Sequence, residues 1–372
     1  MENINMVAPC LFGVEGILAD ELKRFGLQNV AAQNGRVLFS GDFNTLALVN
    51  INSRYAERVL INMGQFKATS FTELFEGVKA LPWENYIGKK DAFPVNGHSL
   101  DSALFSIPDC QSIIKKAIVE RLKTKYNISW FEEAGSEYKI RFSIMKDEVT
   151  LMIDTSGEPL HKRGYRSKSN AAPLKETLAA AMCDTARIYP DTCIYDPFCG
   201  SGTILIEAAL HAMHKAPGLG RYFAAERFSC IPDKVWREER TRAMDAIRHD
   251  ITFEAHGFDI DPECVELTLS NAKKAGVEKL VKASVADVKD FKTNEGRSLV
   301  ITNPPYGERL LDVRQAEELY KTMGEVFLKQ EGKKYYIISP HDEFEKFFGR
   351  PSDKRRKFYN GMIKCQLFMY FK

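Results

Sequence analysis

Short apolar runs alternate with amphipathic helical segments from residue 192 to the end of the chain, and this order constrains the fold more than any other feature. The apolar runs occupy residues 192–195, 255–260, 281–286, 299–302 and 334–339. Alternation of strands and helices predicts a parallel sheet that helices cover on both faces. Near the end, Asn360-Gly361 separates two alternating runs, which predicts a β-hairpin. We therefore expect an α/β domain whose sheet ends in an antiparallel pair.

The first 160 residues predict a different architecture, of the α+β class. Periodicity indicates helices at residues 17–25, 44–51, 71–81 and 112–126, with strands at residues 36–39 and 58–66. Two alternating runs around Lys146-Asp147-Glu148 predict a hairpin. No catalytic constellation is visible in this half, and the polar, irregular residues 158–166 read as a linker.

Composition excludes several classes of protein. With 372 residues, the chain is long enough for two or three domains, and 44% hydrophobic and 27% charged residues are ordinary for a soluble globular protein. No secretory signal and no membrane-spanning run is visible. The eight cysteines form no C-x-x-C pair, so we expect reduced thiols, a cytoplasmic location and no metal site.

Basic residues are concentrated at the junction between the two halves. The net charge is +2, and residues 1–160 carry 17 basic and 20 acidic side chains. Lys162, Arg163, Arg166 and Lys168 then follow within a few residues, beside Tyr165. Cations beside an aromatic ring are typical of an RNA contact. A solvated linker would carry similar charge, and the basic run at residues 354–357 is open to the same two interpretations.

Acidic and glycine residues at the ends of predicted strands indicate a nucleoside cofactor site. The segment Asp196-Pro197-Phe198-Cys199-Gly200-Ser201-Gly202-Thr203 joins a strand to a helix. Its backbone N–H groups would face the cofactor, and the two glycines would allow close approach. Asp259 ends the next strand and could accept from ribose hydroxyls, whereas Asp287 ends the third and could accept from an adenine amino group. Asp261 is expected to cap the helix that begins at Pro262.

The segment Asn303-Pro304-Pro305-Tyr306 follows a buried strand and can bind a planar amine. The side-chain carbonyl of Asn303 and the backbone carbonyl of Pro304 can each accept an N–H, and the Tyr306 ring can stack on the base. An exocyclic amine is a poor nucleophile because its lone pair is delocalised into the ring. Two acceptors would favour a more tetrahedral nitrogen whose lone pair points at a methyl donor.

Together these segments resemble the amino-group methyltransferases of the class I (Rossmann-like) fold that use S-adenosylmethionine. The extended form Asn303-Pro304-Pro305-Tyr306-Gly307-Glu308-Arg309 resembles more narrowly the guanine-N2 methyltransferases of ribosomal RNA. The linker at residues 161–166 and the helix start at residues 172–176 are similar to theirs as well. The resemblance covers nearly the whole chain.

The resemblance implies a domain order and further site residues. We expect a ferredoxin-like part at residues 1–60, a THUMP RNA-binding domain at 61–157, a basic linker at 158–170 and a methyltransferase domain at 171–372. The last should contain a mostly parallel seven-stranded sheet with a C-terminal antiparallel hairpin. The resemblance adds Pro173, Leu174, Ile260 and Val288 to the cofactor site, and Arg309 to the RNA contacts. Bacterial large-subunit enzymes often carry a second methyltransferase after this region, and we expect that activity to be absent because the sequence ends at Lys372.

The sequence leaves several functions open. Guanine-N2 methylation of 23S rRNA is favoured, and transfer RNA is the close alternative. DNA adenine and protein glutamine methyltransferases also use Asn-Pro-Pro-Tyr, although a THUMP-like half favours RNA. A non-catalytic RNA-binding or ribosome-assembly protein would be a different class, and intact Gly200, Gly202, Asn303 and Tyr306 argue against it. The oligomeric state does not follow from the sequence.

Overall fold

Two seven-stranded sheets organise the residues described by the computed structural model, which are 3–166, 174–293, 298–306 and 312–371. The first sheet contains β1 (Ile4–Pro9), β2 (Ala31–Gln33), β3 (Arg36–Gly41), β4 (Leu60–Lys67), β5 (Val95–Leu100), β6 (Ile140–Met145) and β7 (Glu148–Asp154). Its helices are α1 (Glu15–Arg24), α2 (Phe43–Asn52), α3 (Phe71–Ala80) and α4 (Ile107–Tyr126). The strand order is β2-β3-β1-β4-β7-β6-β5.

One continuous sheet joins the two parts that the sequence separates at residue 60. Strand β4 pairs antiparallel with β1 on one side and with β7 on the other. The buried side chains of α1 and α2 and those of α3 and α4 belong to the same hydrophobic core. The two parts therefore share backbone hydrogen bonds and a common core.

The N-terminal elements depart from the sequence-based prediction at specific places. The structure adds β1, β2 and β5, and it starts α4 at Ile107, with Pro108 in its first turn. Strand β5 (VNGHSL) contains a glycine and polar residues, and it forms because it pairs in parallel with β6. Pairing with a neighbouring strand thus decides a segment whose own residues favour strand weakly.

The second sheet has the predicted mostly parallel form. It contains β8 (Cys193–Asp196), β9 (Glu254–Asp259), β10 (Val281–Val285), β11 (Ser298–Thr302), β12 (Lys333–Ser339), β13 (Lys354–Asn360) and β14 (Ile363–Tyr370). Its helices are α5 (Glu176–Ala186), α6 (Thr203–Ala212), α7 (Asp233–Asp245), α8 (Pro262–Ala275), α9 (Val313–Phe327) and α10 (Phe344–Phe348).

The order of this sheet, β10-β9-β8-β11-β12-β14-β13, is that of a class I methyltransferase fold. The first five strands are parallel, and β14 pairs antiparallel with both β12 and β13. The fold-class prediction is confirmed. The basic run at residues 354–357 begins strand β13, so its interpretation as a loop is wrong: residues 354–357 pair with residues 366–369 of β14.

Arginine side chains form hydrogen bonds with the linker and between the two halves of the chain. Arg221 donates to the carbonyls of Glu158 and Pro159, each at 2.6 Å. Arg54, at the end of α2, donates to the carbonyls of Leu210 and Lys215, at 3.1 and 2.9 Å. Such charge-assisted bonds are stronger than neutral ones, so they help to set the orientation of one sheet relative to the other.

Glu57 is the centre of a second polar cluster at this junction. Its carboxylate contacts His161 Nδ1 at 2.8 Å, Thr177 Oγ1 at 2.6 Å and Lys175 Nζ at 3.4 Å. Burial acts to raise the pKa of Glu57, but the hydrogen bond and charge of His161, with Thr177 and Lys175, overcome it and lower the pKa to about 2. The charged carboxylate therefore stabilises the junction.

We expect Glu57→Gln to lower the free energy of unfolding in a pH-dependent way. The folded-state pKa lies below the ordinary value of 4.5, so the contribution is present above pH 4.5 and is lost as the pH falls towards 2. Its full size is on the order of 3 kcal/mol, from a shift of about 2.5 units. Urea unfolding at pH 7 and at pH 3 would measure it.

The exposed Glu76→Gln on α3 is the matched control, and it should leave both values unchanged. If Glu57→Gln lowered the free energy of unfolding by the same amount at pH 7 and at pH 3, the assigned charge interaction would be contradicted.

Candidate active site

A cavity of about 710 Å³ opens at the edge where the parallel strands of the second sheet end. This volume lies within the roughly 300–1,000 Å³ typical of small-molecule sites. It brings together most of the residues that the sequence assigns to a cofactor, namely Leu174, Asp196, Pro197, Phe198, Cys199, Gly200, Thr203, Asp259, Ile260, Asp287 and Val288. It also contains Asn303, Pro304, Pro305 and Tyr306. Pro173 lies outside the described residues.

Asp196 is a buried carboxylate at the end of β8. Its Oδ1 accepts a hydrogen bond from Thr302 Oγ1 at 2.7 Å and another from the Phe198 N–H at 3.1 Å. Burial raises its pKa to about 7, although both hydrogen bonds act in the opposite direction. A cation that entered the cavity beside Asp196 would favour the charged carboxylate.

The loop after β8 is tied to the end of β9 by Asp259. Its Oδ2 accepts from the Gly200 N–H at 2.9 Å, and its Oδ1 accepts from the Asp261 N–H at 3.1 Å. The Cys199 N–H donates to the Phe258 carbonyl at 2.9 Å. Since a carboxylate oxygen can accept more than one hydrogen bond, Asp259 retains capacity for a ligand hydroxyl.

Gly202 has a role that differs from the expected one. It is not among the residues that line the cavity, so its approach to a cofactor stays a prediction, whereas its role in packing is visible in the structure. It caps α6 with a φ of +77°, and an added Cβ would lie 2.8 Å from Thr268 Cγ2 on α8. The glycine is required by the backbone conformation and by the approach of α8.

The cavity wall receives a polar group, Asp287, from the end of β10 and an apolar group, Ile260, from the end of β9. Asp287 Oδ1 accepts from the Lys289 N–H at 2.9 Å and so begins a 3-10 turn at Val288–Asp290. Ile260, on the cavity wall near Asp259, is 71% exposed although it is a large apolar side chain. An exposed aliphatic surface between two acidic groups suits a flat ring that carries hydrogen-bond donors.

The structure adds Asn360 to the residues around Tyr306. Its Nδ2 donates to the Tyr306 hydroxyl at 3.0 Å, and both side chains are buried. In the sequence, Asn360-Gly361 predicts only a turn of the backbone. The contact between the Asn360 side chain and Tyr306 arises because the folded hairpin lies beside the loop after β11. Sequence reasoning therefore missed this residue.

One face of α9 also lines the cavity. The residues are Gln315, Glu318, Leu319 and Thr322, which are spaced three, four and seven positions along the helix from the first. That spacing places side chains on one helical face, and three of the four are polar. A polar stripe on a helix directly after Asn303-Pro304-Pro305-Tyr306 is a signal that could have identified this wall.

The residues expected to contact RNA at the linker are mostly internal. Arg163 and Tyr165 are 5% and 4% exposed; the first donates to the Leu160 carbonyl at 2.6 Å, and the second donates to Glu207 Oε1 at 3.1 Å. The RNA-contact prediction is wrong for these two side chains because they stabilise the domain junction instead. Lys162 is exposed and paired with Glu158 at 2.6 Å, whereas Lys168 and Arg309 lie outside the described residues.

Arg166 turns inward as well, towards the cofactor side of the cavity. Its Nη2 lies 2.7 Å from Glu176 Oε2, and its Nη1 donates to the Leu174 carbonyl at 3.1 Å. Nη1 also lies 3.5 Å from Thr203 Oγ1. Leu174 and Thr203 both line the cavity, so Arg166 holds two wall segments together rather than facing RNA.

A separate group of potential metal ligands lies at the opposite end of β8. Atoms of Cys193, Glu254 and His256 lie within 4.8 Å of one another. The two oxygens of Glu254 contact Lys282 Nζ at 3.0 Å and His256 Nε2 at 3.3 Å. Ion pairing with a lysine accounts for this arrangement, and we assign it no ligand.

Three family models match successive parts of the chain. They are the RlmL ferredoxin-like domain at residues 5–60, the THUMP domain at residues 68–154 and the RMKL-like methyltransferase domain at residues 163–368. The last covers more than half of the chain. Among the described residues, no helix combines the length and apolarity needed to cross a membrane.

Individual proteins similar to this chain carry related names. YpsC of Bacillus subtilis (strain 168), named as an RNA methyltransferase, is 39% identical over 100% of this chain and 97% of its own length. The ribosomal RNA large subunit methyltransferase K/L of Cellvibrio japonicus (strain Ueda107) is 33% identical over 98% of this chain, which spans about half (50%) of that relative. The solved structure of SMU.472 in complex with SAH has a TM-score of 0.96 and 41% identity, covering 100% of this chain and 98% of the other.

We expect Arg166→Ala to lower the affinity for S-adenosylhomocysteine by about tenfold. This molecule is the demethylated product of the cofactor that the sequence assigns to the cavity. The substitution removes the contact between Arg166 and the Leu174 carbonyl and leaves Glu176 without its cationic partner. Isothermal titration calorimetry on folded protein measures the change, and Arg166→Lys should restore part of the affinity.

The exposed Lys162→Ala serves as the control and should bind S-adenosylhomocysteine normally. An Arg166→Ala protein with normal affinity for S-adenosylhomocysteine and reduced affinity for RNA would favour the RNA-contact role instead.

Proposed function

This chain belongs to the RMKL-like methyltransferase family, and from that membership we propose that it transfers a methyl group from S-adenosylmethionine to the exocyclic N2 amine of a guanine in RNA. 23S rRNA is the favoured substrate. The observation that carries the proposal is a single cavity whose wall holds the loop after β8 on one side and Asn303-Pro304-Pro305-Tyr306 on the other.

The residues around this cavity fit the proposed methyl donor. Asp259 offers carboxylate oxygens to ribose hydroxyls, Asp287 offers an acceptor to the adenine amino group, and Ile260 offers an apolar surface to the adenine ring. Burial raises the pKa of Asp196 to about 7. The cationic amino-acid end of the methyl donor, placed beside this carboxylate, would favour its charged form. The bound donor supplies a methyl group on a sulfonium centre.

The acceptor side of the cavity orients a planar amine. The Asn303 side-chain oxygen and the Pro304 carbonyl accept its two N–H groups, which restricts the lone pair to one direction. Thr302, the residue before Asn303, donates to Asp196 at 2.7 Å, so the two sides of the cavity are joined by a hydrogen bond. Alignment of donor and acceptor, without a strong general base, supplies most of the acceleration.

Tyr306 positions the base. Its ring lines the cavity, and Asn360 anchors its hydroxyl, which fixes the plane of the ring. A guanine stacked on a fixed ring keeps its amine in line with the methyl group. A base inside a duplex cannot reach this cavity, so the target must be flipped out or unpaired.

The N-terminal region supports RNA as the substrate class. Its matches to a ferredoxin-like domain and to a THUMP domain support our proposed division at residues 1–60, 61–157, 158–170 and 171–372. The K/L relatives named for ribosomal RNA cover almost all of this chain, and they support 23S rRNA. We place the reaction in the cytoplasm, where the eight free thiols stay reduced.

Labelled S-adenosylmethionine tests the proposal with total RNA and, in a separate reaction, genomic DNA from a host that lacks the gene. We expect label in 23S rRNA, and nucleoside analysis should identify N2-methylguanosine. Label in transfer RNA would indicate the alternative substrate, and label in DNA adenine would overturn the RNA assignment. Transfer to no nucleic acid, despite binding of S-adenosylhomocysteine, would favour a non-catalytic role.

We expect Asn303→Ala to reduce the rate of methyl transfer by at least about a hundredfold, because it removes one of the two acceptors that orient the amine. Affinity for S-adenosylhomocysteine should stay within about twofold, since Asn303 is assigned to the acceptor side. Single-turnover kinetics and calorimetry measure the two quantities.

Asn44→Ala, at an exposed position at the start of α2, is the control and should behave like the unsubstituted protein in both assays. Equal losses of rate and of cofactor affinity in Asn303→Ala would contradict the assigned role.

We expect Asn360→Ala to slow methyl transfer by about tenfold, because the Tyr306 ring loses its anchor. If Asn360 acts through the Tyr306 hydroxyl, the same substitution in a Tyr306→Phe background should have no further effect. A double-mutant cycle on single-turnover rates measures this coupling. Fully additive effects would show that Asn360 acts by another route.

A further inference from the structure

An exposed aromatic pair lies where the two sheets meet, beside the hairpin that carries Asn360. We call Phe12 and Tyr359 the aromatic rim. Phe12, in the loop between β1 and α1, is 55% exposed, and Tyr359 of β13 is half-buried. Their ring centroids are 5.7 Å apart with an interplanar angle of 63°, an edge-to-face arrangement. One ring comes from the N-terminal part and the other from the second sheet, and neither belongs to the cavity wall described above.

The loop that carries Phe12 is held firmly. Glu15 accepts hydrogen bonds from the Gly13 N–H at 2.8 Å and from the Gly35 N–H at 2.9 Å. Gly13 has a φ of +90°, and a Cβ there would collide with the Lys357 carbonyl of β13. The loop therefore packs directly against the edge strand of the second sheet, and Phe12 keeps its exposed position without a covering side chain from the core.

The aromatic rim is connected to the cavity through one residue. Tyr359 immediately precedes Asn360, which donates to the Tyr306 hydroxyl on the cavity wall. Side chains alternate between the two faces of a strand, so the hairpin carries the Tyr359 ring on one face and the Asn360 anchor of Tyr306 on the other.

Cations surround the two rings. Lys357 is exposed, and its Nζ lies 5.1 Å from the centroid of the Tyr359 ring. Lys364 is exposed and pairs directly with Tyr359 across the hairpin. Arg356 donates to the Gly13 carbonyl at 3.3 Å. Rings for bases, with positive charge for phosphates beside them, are the combination that binds single-stranded nucleic acid.

We propose that the aromatic rim stacks an unpaired nucleotide of the RNA substrate. This inference rests on the proposed function and extends it, because it assigns a substrate subsite to a residue of the ferredoxin-like region. It requires the RNA to have a single-stranded segment that reaches this hairpin. The N-terminal part then contributes a stacking contact with the RNA, in addition to any contact made by the THUMP domain.

The test compares Phe12→Ala and Tyr359→Ala with Tyr189→Ala. Tyr189 is 57% exposed, nearly the same as Phe12, and it precedes β8 at the edge of the sheet away from the cavity. Fluorescence anisotropy with a labelled single-stranded oligouridine and with an RNA duplex of equal length measures affinity. We expect each rim variant to lose at least about fivefold in affinity for the single strand. Duplex binding, S-adenosylhomocysteine affinity and thermal stability should be unchanged, as should every property of Tyr189→Ala.

Phe12→Trp allows stacking to be measured through tryptophan fluorescence. It should keep the affinity of the unsubstituted protein and show additional tryptophan quenching when the oligouridine binds. Unchanged single-strand affinity in both alanine variants, absence of that quenching, or an equal loss on duplex RNA would each overturn the proposal. These readouts need no methyl transfer, so a protein that methylates no RNA but shows the quenching would refute the proposed function and leave the aromatic rim standing.

Discussion

The parallel pairing of β8 with β11 is the constraint on which the site depends. It places Tyr195 opposite Val300, so the loops that follow the two strands emerge side by side. Thr302 Oγ1 then donates to the buried Asp196 carboxylate at 2.7 Å and joins them. Because burial makes that carboxylate expensive to charge, a nearby hydroxyl donor is well placed to hold it. The remaining parts of the cavity are arranged around this bond.

The junction between the sheets uses buried charge for orientation. Arg163 and Glu207 are both buried, and the Arg163 Nε lies 3.6 Å from Glu207 Oε1. Buried ion pairs contribute little net stability, but loss of one partner is costly, so they resist other arrangements of the two halves. Arg54 and Arg221 act in the same direction through carbonyl groups. These contacts hold the N-terminal sheet beside the second sheet.

Sequence reasoning succeeded where local signals are strong and failed where partners are remote. Helix α8 begins at the predicted residue because Asp261 caps it and Pro262 starts it, and it ends where Gly276 takes the left-handed conformation. The basic residues of the linker looked alike in the sequence, yet Arg163 and Arg166 point inward because Glu207 and Glu176 lie opposite them. Gly202 was correctly noticed, but its reason is the Thr268 side chain on a helix 66 residues away.

The sequence by itself determined the alternation of strands and helices after residue 192, the hairpin at Asn360-Gly361 and the chemistry at the strand ends, because periodicity, turn residues and short motifs act over a few neighbouring positions. Only the tertiary structure decided which side chains meet. Asn360 reaches Tyr306, Arg166 reaches Thr203, and Phe12 reaches Tyr359, and each of these pairs joins parts of the chain that are far apart in sequence. The physical reason is that such contacts follow from the packing of sheets and helices, which no local pattern encodes.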